Sequence, residues 1–284
     1  MFTSLINAKE LATILTKKNI VLIDCRFALA DTESGRKEHT TNHIPNAIYA
    51  HLDDDLSGPI LPGETGRHPF PNPIVFAKQC GLWGINAKKQ VIVYDQGHGG
   101  IAARVWFLLK WLGHEKVAVL NGGWKYWSDN DFPTDNKKVQ PVATTFKAKP
   151  DASKIVNVEV LEKNLQDRSY LVVDSRAAER YRGEKEPIDP VAGHIPNAIS
   201  APFSDNLGAD GLFLSKEQLS EKFSKLLKNK SSKQTIFYCG SGVTACHNLL
   251  AMDYVGLETA KLFPGSWSEW ITEIKRPIAI TKIA

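Results

Sequence analysis

Short apolar runs alternate with helical patterns along the whole chain. The runs that predict strands are residues 20–24, 91–94, 117–120 and 235–238. They are apolar at consecutive positions, as expected of strands that helices cover on both faces. Helical periodicity follows at residues 102–112 and 243–254, and Asn7 with Glu10 forms the capping-box sequence of an earlier helix. The pattern predicts an α/β fold with mostly parallel sheets flanked by helices.

Four motifs occur twice and in the same order, about half a chain apart. The pairs are VLIDCR (21–26) with LVVDSR (171–176), HIPNAI (43–48) with HIPNAI (194–199), VIVYD (91–95) with TIFYC (235–239), and LNGGWKYW (120–127) with LFPGSWSEW (262–270). Ordered matches of this kind indicate a duplicated domain. Residues 132–153 contain three prolines and little periodicity, which is typical of a linker. We therefore predict one domain at residues 1–136, a linker at 137–152 and a second domain at 153–284.

Composition narrows the class of protein. The 35 Lys and Arg residues nearly balance the 31 Asp and Glu residues, and no basic run is typical of a nucleic-acid track. No apolar run approaches the ~18 residues of a membrane span, and the N-terminus lacks the apolar core of a secretory signal. The four cysteines include no CxxC pair, which argues against structural zinc and fits a reducing compartment. We expect a cytoplasmic protein that has no metal or cofactor and that binds neither nucleic acid nor a membrane.

One cysteine follows a predicted strand and precedes a predicted helix. Cys239 stands in a tight loop with Gly240 and Gly242, where the loop N–H groups and the helix dipole favour a thiolate and any anion beside it. The alternative is a buried, inert cysteine, but the two glycines favour a reactive cysteine in this loop. The N–H groups that can surround a thiolate or persulfide belong to Gly240, Ser241, Gly242, Val243 and Thr244.

The repeated motifs and the loop CGSGVTA together resemble the two-domain, rhodanese-type sulfurtransferases over almost the full length of the chain. The resemblance implies two tandem rhodanese-like domains, of which one is catalytic and the other has lost its cysteine. Asp95 stands where Cys239 stands in the second half, and a carboxylate cannot carry sulfane sulfur, so we expect the first half to be inactive. Similar enzymes take sulfur from a small-molecule donor onto the loop cysteine as a persulfide. They pass it to a thiol acceptor such as thioredoxin or a small thiol, or to cyanide.

The loop also bears on the sulfur donor. Thiosulfate enzymes of this family typically place two cations after the cysteine, whereas this chain has the neutral pair Gly240 and Ser241, as the mercaptopyruvate enzymes do. The resemblance therefore implies mercaptopyruvate as the donor, with pyruvate leaving as its enolate. It also implies that Ser241 relays a proton to this enolate, with His68 and Asp53 as its catalytic partners.

Arginines are expected to hold the donor's carboxylate, because the guanidinium fork offers a carboxylate two hydrogen bonds. The resemblance assigns this role to Arg180 in the second half and to Arg104 in the first. The mercaptopyruvate enzymes often have a further arginine in the segment that here reads EPIDP (186–190), where this chain has Ile188 but no arginine. Arg182 either compensates for that arginine or lies on the surface in an ion pair with a nearby glutamate.

Other interpretations of these residues remain open. Thiosulfate:cyanide sulfur transfer on the same scaffold and a non-enzymatic sulfur-binding module are the alternative functions. A Cys-x5-Arg phosphatase needs an arginine where this chain has Ala245, which argues against that class. The Asp-x-Arg and His-Ile-Pro motifs occur in both halves, including the one without the loop cysteine, and are therefore interpreted as structural. Cys246 lies on the same helix face as Cys239 and is interpreted as a core thiol.

Overall fold

The chain folds into two compact units and passes between them more than once. The computed structural model describes residues 1–228 and 230–281. The first unit comprises Met1–Gly58, Pro71–Asp151 and Ala209–Phe213. The second comprises Pro59–Phe70, Ala152–Gly208 and the chain from Leu214 onward. Residues 137–151 of the predicted linker thus belong with the first unit. The domain limits given above stay a prediction, and their end at residue 284 lies outside the described residues.

The first unit is built on a parallel sheet of five strands. Its elements in chain order are β1 (Leu5–Ile6), α1 (Ala8–Ile14), β2 (Ile20–Asp24), α2 (Ser34–Thr41), β3 (Ala47–Tyr49), α3 (Pro73–Leu82), β4 (Gln90–Tyr94), α4 (Gly100–Trp111), β5 (Val117–Leu120) and α5 (Gly123–Asp129). The strands lie in the order β1-β5-β4-β2-β3, and all neighbouring pairs are parallel. Every residue of β4 and β5 is buried, as expected for the centre of a parallel sheet.

The second unit repeats this plan. Its elements are α6 (Val158–Asp167), β6 (Leu171–Asp174), α7 (Ala178–Arg182), β7 (Ile199–Ser200), α8 (Lys216–Leu227), β8 (Thr235–Tyr238), α9 (Ala245–Tyr254), β9 (Lys261–Leu262) and α10 (Ser266–Trp270). Within the described residues the parallel strands lie in the order β7-β6-β8-β9. Ile155 forms an isolated parallel bridge with Leu262, at the place that β1 occupies beside β5 in the first unit.

The predicted elements are confirmed with small shifts. The strand predictions 20–24, 117–120 and 235–238 match β2, β5 and β8, and β4 begins one residue before the predicted 91. The capping box of α1 is present, since Asn7 Oδ1 accepts the N–H of Glu10 at 2.9 Å and Glu10 Oε2 accepts the N–H of Asn7 at 3.0 Å. No helix in the described part of the chain is both long enough and apolar enough to cross a bilayer.

A buried ion pair follows β2. Arg26 Nη2 donates to Asp24 Oδ2 at 2.6 Å and to the carbonyl of Asn42 at 2.7 Å, and the guanidinium lies 4.3 Å from the centre of the Trp124 ring. Tyr94, the register partner of Asp24 on β4, donates its hydroxyl to the same Asp24 oxygen at 2.9 Å. The pair therefore joins the carboxyl end of β2 to the turn before β3 and to Trp124, which belongs to the repeated aromatic motif LNGGWKYW.

The second unit has the same pair. Arg176 Nη2 donates to Asp174 Oδ2 and to the carbonyl of Gly193, both at 2.6 Å, and its guanidinium lies 4.8 Å from the centre of the Trp267 ring. Burial acts against the charge of Arg176, but the Asp174 carboxylate outweighs it and raises the Arg176 pKa above its ordinary value. These geometries confirm that both Asp-x-Arg motifs are structural ion pairs.

Candidate active site

The loop after β8 connects a central strand of the second sheet to α9. Tyr238 ends the strand and α9 begins at Ala245, two residues later than the predicted residue 243. The later start follows from the backbone, because the chain passes through left-handed Gly242, with a φ of 72°, before Thr244 caps the helix.

Cys239 is held at both of its backbone groups. Its N–H donates to Ser266 Oγ at 3.0 Å, and its carbonyl accepts the N–H of Trp267 at 3.0 Å. Only 1% of Cys239 is exposed. The aromatic motif near the end of the chain therefore fixes the position of this cysteine, over a separation that no local pattern indicates.

Close neighbours leave no room for a side chain at Gly242 and little at Gly240. A Cβ at Gly242 would overlap the carbonyl oxygen of Pro264, and its left-handed backbone is already strained for other residues. A Cβ at Gly240 would stand 3.2 Å from Nη2 of Arg67 and 3.5 Å from Nη1 of Arg180. The residue after Cys239 is thus flanked by two guanidinium groups.

The equivalent loop of the first unit holds an anion of its own. Asp95 is 1% exposed. Its Oδ1 accepts the N–H groups of Gly97 and Gly99 at 3.0 and 2.9 Å, and its Oδ2 accepts those of Ile101 and Ala102 at 3.0 and 3.3 Å. Three of these four donors belong to the start of α4 or to its cap, where N–H groups lack intrahelical acceptors. This turn between strand and helix is therefore an anion-binding structure.

The two loops correspond in their supports as well as in sequence. The carbonyl of Asp95 accepts the N–H of Trp124 at 2.8 Å, as the carbonyl of Cys239 accepts that of Trp267. The left-handed glycine differs, since it is Gly99 in the first loop and Gly242 in the second. Cys239 thus occupies the position that corresponds to the buried Asp95, between a strand and a helix, although the helix cap is left-handed Gly99 in the first unit and right-handed Thr244 in the second.

Ser241 and His68 lie together in the second unit. His68 Nδ1 is 2.7 Å from Ser241 Oγ, and the two residues are 4% and 6% exposed. His68 reaches the loop because the segment Pro59–Phe70 belongs to this unit although the chain on either side of it belongs to the first. The hydrogen bond allows a proton to move between the imidazole and the hydroxyl.

Two other predicted site residues belong to the first unit. Asp53 is exposed in the chain after β3, and its N–H donates to His51 Nδ1 at 3.2 Å. Arg104 is fully buried in α4, and its Nη2 donates to the carbonyl of Leu56 at 3.3 Å. Their catalytic and donor-binding roles stay predictions.

Arg180 is held by two buried carboxylates. Its Nη2 donates to Glu186 Oε1 at 2.7 Å and to Asp189 Oδ2 at 3.0 Å, and its Nε donates to Glu186 as well. Burial acts to raise the pKa of Glu186, but the hydrogen bonds from Arg180 and from the N–H groups of Asp189 and Ile188 outweigh it and hold the pKa below its ordinary value. Glu186 is therefore an ionised partner of Arg180 at neutral pH.

The sequence analysis did not identify Arg67. Its Nη1 donates to Asp189 Oδ1, its N–H donates to Ser268 Oγ at 3.0 Å, and its Nη2 lies beside Gly240. The one sequence signal was its position next to His68. Arg182, the candidate considered for a further arginine, instead pairs with Glu184 at 2.7 Å on the surface.

The remaining cysteines lie in the core. Burial, with Asp95 and Asp24, raises the pKa of the Cys25 thiol well above its ordinary value, and burial also raises that of Cys80. Cys246 is fully buried and its Sγ donates to the carbonyl of Gly242 at 3.4 Å. In the described residues no group of three or more His, Cys, Asp and Glu side chains is arranged to hold a metal ion.

Both halves of the chain are similar to known proteins. Residues 7–130 and 157–273 each match the rhodanese-like domain family. A protein of Pseudomonas aeruginosa named probable 3-mercaptopyruvate sulfurtransferase is 45% identical over 276 residues, which cover 97% of each chain. Human 3-mercaptopyruvate sulfurtransferase is 36% identical over 241 residues, 83% of this chain and 79% of the human one.

A solved structure matches both units. The crystal structure of SseA from Escherichia coli, whose title concerns 3-mercaptopyruvate sulfotransferases, superposes with a TM-score of 0.80 at 30% identity and covers 94% of this chain and 100% of SseA. The chain therefore belongs to the rhodanese family, with two rhodanese-like domains, and it is a sulfurtransferase.

We predict that Gly242→Ala disrupts the loop more than the strain of an alanine with a positive φ alone would do. The added methyl group meets the Pro264 carbonyl, and displacement of the loop by about 1 Å is expected to lower sulfur transfer by about 100-fold or more. Gly256→Ala is the matched control, because Gly256 has a φ of 81° with open space around it. It should lose about 1–2 kcal/mol of stability and keep its activity. Equal activities of the two variants, compared by initial rates, would contradict the steric argument.

We predict that Asp95→Ala affects stability and spares catalysis. Four buried N–H groups lose their acceptor, which should lower the free energy of unfolding by about 2–5 kcal/mol, measured by urea denaturation. Asp129→Ala, which removes a 55% exposed carboxylate from the same unit, is the control. Sulfur transfer by the folded Asp95→Ala protein should stay within a few-fold of the parent rate. Loss of several orders of magnitude without unfolding would show that Asp95 takes part in the reaction.

Proposed function

We propose that the protein moves sulfane sulfur from 3-mercaptopyruvate through a persulfide on Cys239 to a thiol acceptor or cyanide, and releases pyruvate. The observation that carries the proposal is the turn between strand and helix around Cys239. Its counterpart in the first unit surrounds the Asp95 carboxylate with four N–H groups. Relatives named 3-mercaptopyruvate sulfurtransferase support the same donor.

The length of the side chain supports a persulfide at this turn. The terminal sulfur of a cysteine persulfide is as many bonds from Cα as a carboxylate oxygen of aspartate, whereas the Sγ of a thiolate is one bond closer. A persulfide on Cys239 therefore places a negative charge as many bonds from Cα as the Asp95 oxygens that accept the N–H groups of their turn. Backbone donors arranged in this way stabilise an anion without a charged side chain.

The proposed reaction has two steps. The Cys239 thiolate attacks the thiol sulfur of mercaptopyruvate, an S–S bond forms, and the donor's C–S bond breaks with its electron pair leaving as the enolate of pyruvate. The enolate takes up a proton, which Ser241 supplies from the hydrogen bond with His68. An acceptor thiolate or cyanide then attacks the outer sulfur and releases the Cys239 thiolate.

The composition of the loop favours mercaptopyruvate over thiosulfate. Gly240 and Ser241 offer no cations to a dianionic donor, whereas Arg180 lies beside Gly240 and can bind a carboxylate. Thiosulfate:cyanide sulfur transfer is the second candidate, favoured by Ile188 in the segment where the resemblance implies an arginine.

The chemistry also indicates the acceptor and the compartment. The outer sulfur of a persulfide accepts a soft nucleophile, so a reduced thiol such as thioredoxin or a small thiol fits the second step. All four cysteines are free thiols in the structure. A thiol acceptor and an unoxidised Cys239 both require reducing conditions, from which we infer the cytoplasm.

We expect mercaptopyruvate to add one sulfur atom to the parent protein and none to Cys239→Ser, as measured by intact-mass spectrometry. The reason is that Cys239 alone combines a thiol with the anion-binding turn. Cys80→Ala is the matched control and should take up sulfur as the parent does. Persulfide mapped to Cys25, Cys80 or Cys246 would contradict the assignment, and retained function in Cys239→Ser would favour a non-enzymatic module.

We expect the parent enzyme to have a higher kcat/KM with mercaptopyruvate than with thiosulfate. Arg180→Ala should lower kcat/KM for mercaptopyruvate by about 30- to 1,000-fold, equivalent to about 2–4 kcal/mol, because a charged hydrogen-bonding partner is lost. Arg182→Ala, which breaks a surface ion pair in the same helix, should stay within two-fold. A thiosulfate efficiency in the parent that equals or exceeds that of mercaptopyruvate would reverse the choice of donor.

A further inference from the structure

A buried network of polar side chains connects the start of α9 to α8 and to the chain after β7. Asn206 is its centre. Its Nδ2 donates to Asn248 Oδ1 at 2.8 Å and lies 3.1 Å from Nδ1 of His247, and its Oδ1 accepts from Lys222 Nζ at 2.7 Å. Asn206, His247 and Asn248 are all fully buried. Buried polar groups of this kind are stable when each finds a hydrogen-bond partner, so the directions of their hydrogen bonds can be derived.

The two ends of the network fix those directions. At one end Asn248 Nδ2 donates to the carbonyl of Ala201 and to Ser175 Oγ, both at 3.0 Å, and a carbonyl can only accept. At the other end the ammonium of Lys222 can only donate. Burial lowers the pKa of Lys222 to about 8, so the group is still mainly charged at neutral pH. Each amide therefore has one orientation in which all of these hydrogen bonds form.

His247 is neutral in this network. Asn206 Nδ2 has two protons, of which one goes to Asn248 Oδ1 and the other to Nδ1 of His247. An imidazole that accepts at Nδ1 carries its proton on Nε2 and has no charge. A charged His247 would bring two N–H donors against each other. It would also place a positive charge in the first turn of a helix, where the helix dipole disfavours it.

The network reaches both ends of the Cys239 loop, residues 239–244. His247 lies in the first turn of α9, and its N–H donates to the carbonyl of Thr244, the last residue of the loop, at 3.1 Å. Ser175 donates its N–H to the carbonyl of Tyr238, the residue before the loop, at 2.8 Å. The hydrogen bonds of the two buried amides therefore tie together the two places at which this loop enters and leaves.

The first unit has a different residue at a key position of the network. The helices α4 and α9 are both followed by a left-handed glycine, Gly113 and Gly256. Counted back from these glycines, Val105 of α4 stands where Asn248 stands in α9. Valine has no polar side-chain atom, so α4 cannot form the amide contacts that Asn248 makes. The network therefore accompanies the turn that carries a thiol and not the turn that carries Asp95.

We propose that Asn206 is a positioning residue for the Cys239 loop, because it holds His247 as the neutral Nε2–H tautomer and ties the first turn of α9 to the rest of the second unit. Asn206 acts through His247 and Asn248 and not on the reacting atoms. The start of α9 favours a thiolate at Cys239, so displacement of its first turn lowers the reactivity of the thiol. This proposal rests on the proposed nucleophile and not on the choice of sulfur donor.

The first test is the tautomer of His247 in the parent protein at neutral pH. Long-range nitrogen–proton NMR spectra distinguish an Nε2–H imidazole, an Nδ1–H imidazole and an imidazolium, and spectra that link the ring to the backbone assign the signals to His247. We expect the Nε2–H imidazole. Either of the other two forms would overturn the proposal without any variant.

The second test is Asn206→Asp. This variant keeps the size of the side chain and the acceptor for Lys222, but neither of its oxygens can donate to His247. His247 should then take up a proton at Nδ1 and become an imidazolium at neutral pH, seen in the same spectra. Iodoacetamide should alkylate Cys239 about 3- to 30-fold more slowly than in the parent, measured by peptide mass, because the first turn of α9 is displaced.

Asn164→Asp is the matched control. Asn164 is 4% exposed in α6 of the same unit, and its amide bonds the N–H and the carbonyl of Tyr170. This variant should lose stability and keep both the tautomer of His247 and the alkylation rate of Cys239. Equal slowing in the two variants would show a general effect of a new buried carboxylate, and would overturn the proposal.

The outcomes also distinguish this proposal from the proposed function. Alkylation of Cys239 in Asn206→Asp at the parent rate overturns the role of Asn206 and leaves the proposed reaction intact. A parent protein in which iodoacetamide does not modify Cys239 overturns the proposed nucleophile, and with it the loop that Asn206 would position.

Discussion

A parallel strand, a tight turn and a helix start bring several N–H groups together, and the rest of this structure depends on how those groups find an acceptor. Such groups are costly to bury without an acceptor. In the first unit the Asp95 carboxylate accepts four of them. In the second unit Cys239 stands at the corresponding place with a shorter side chain. The turn of the first unit therefore binds its own carboxylate, whereas the turn of the second unit has a thiol at the corresponding position.

The turn keeps its shape because distant parts of the second unit hold it. Tyr238, the residue before the cysteine, pairs in register with Asp174, whose ion pair with Arg176 is buried. Ser266 accepts the N–H of Cys239, and the carbonyl of Pro264 leaves no room for a side chain at Gly242. The duplicated Asp-x-Arg and aromatic motifs are thus the supports of the turn, which explains why the half without the cysteine keeps them.

Much of the fold could be predicted from the sequence, because central parallel strands are apolar at consecutive positions and their motifs occur twice. The strands β1, β7 and β9 could not, since two residues carry too little pattern to indicate a strand. In the site, the position of Cys239 followed from local sequence alone. The pairing of His68 with Ser241 came only from the family resemblance, because the hydrogen bond joins residues 173 positions apart. Asp53 and Arg104 lie in the first unit, and their roles stay predictions.

Arg67 shows why local sequence is a poor guide to the charge of a site. Considered alone, the segment 186–190 lacks a cation, and the sequence then indicates a weakened carboxylate site. The structure shows that the same segment supplies a buried anion, Asp189, whose ion pair with Arg67 spans 122 positions in sequence. A buried carboxylate needs hydrogen-bond donors or a cationic partner, and Asp189 pairs with Arg67 as well as with Arg180, which is shared with Glu186. The segment 186–190 therefore obtains its cationic partners, Arg67 and Arg180, from other parts of the chain, and no local sequence pattern indicates this pairing.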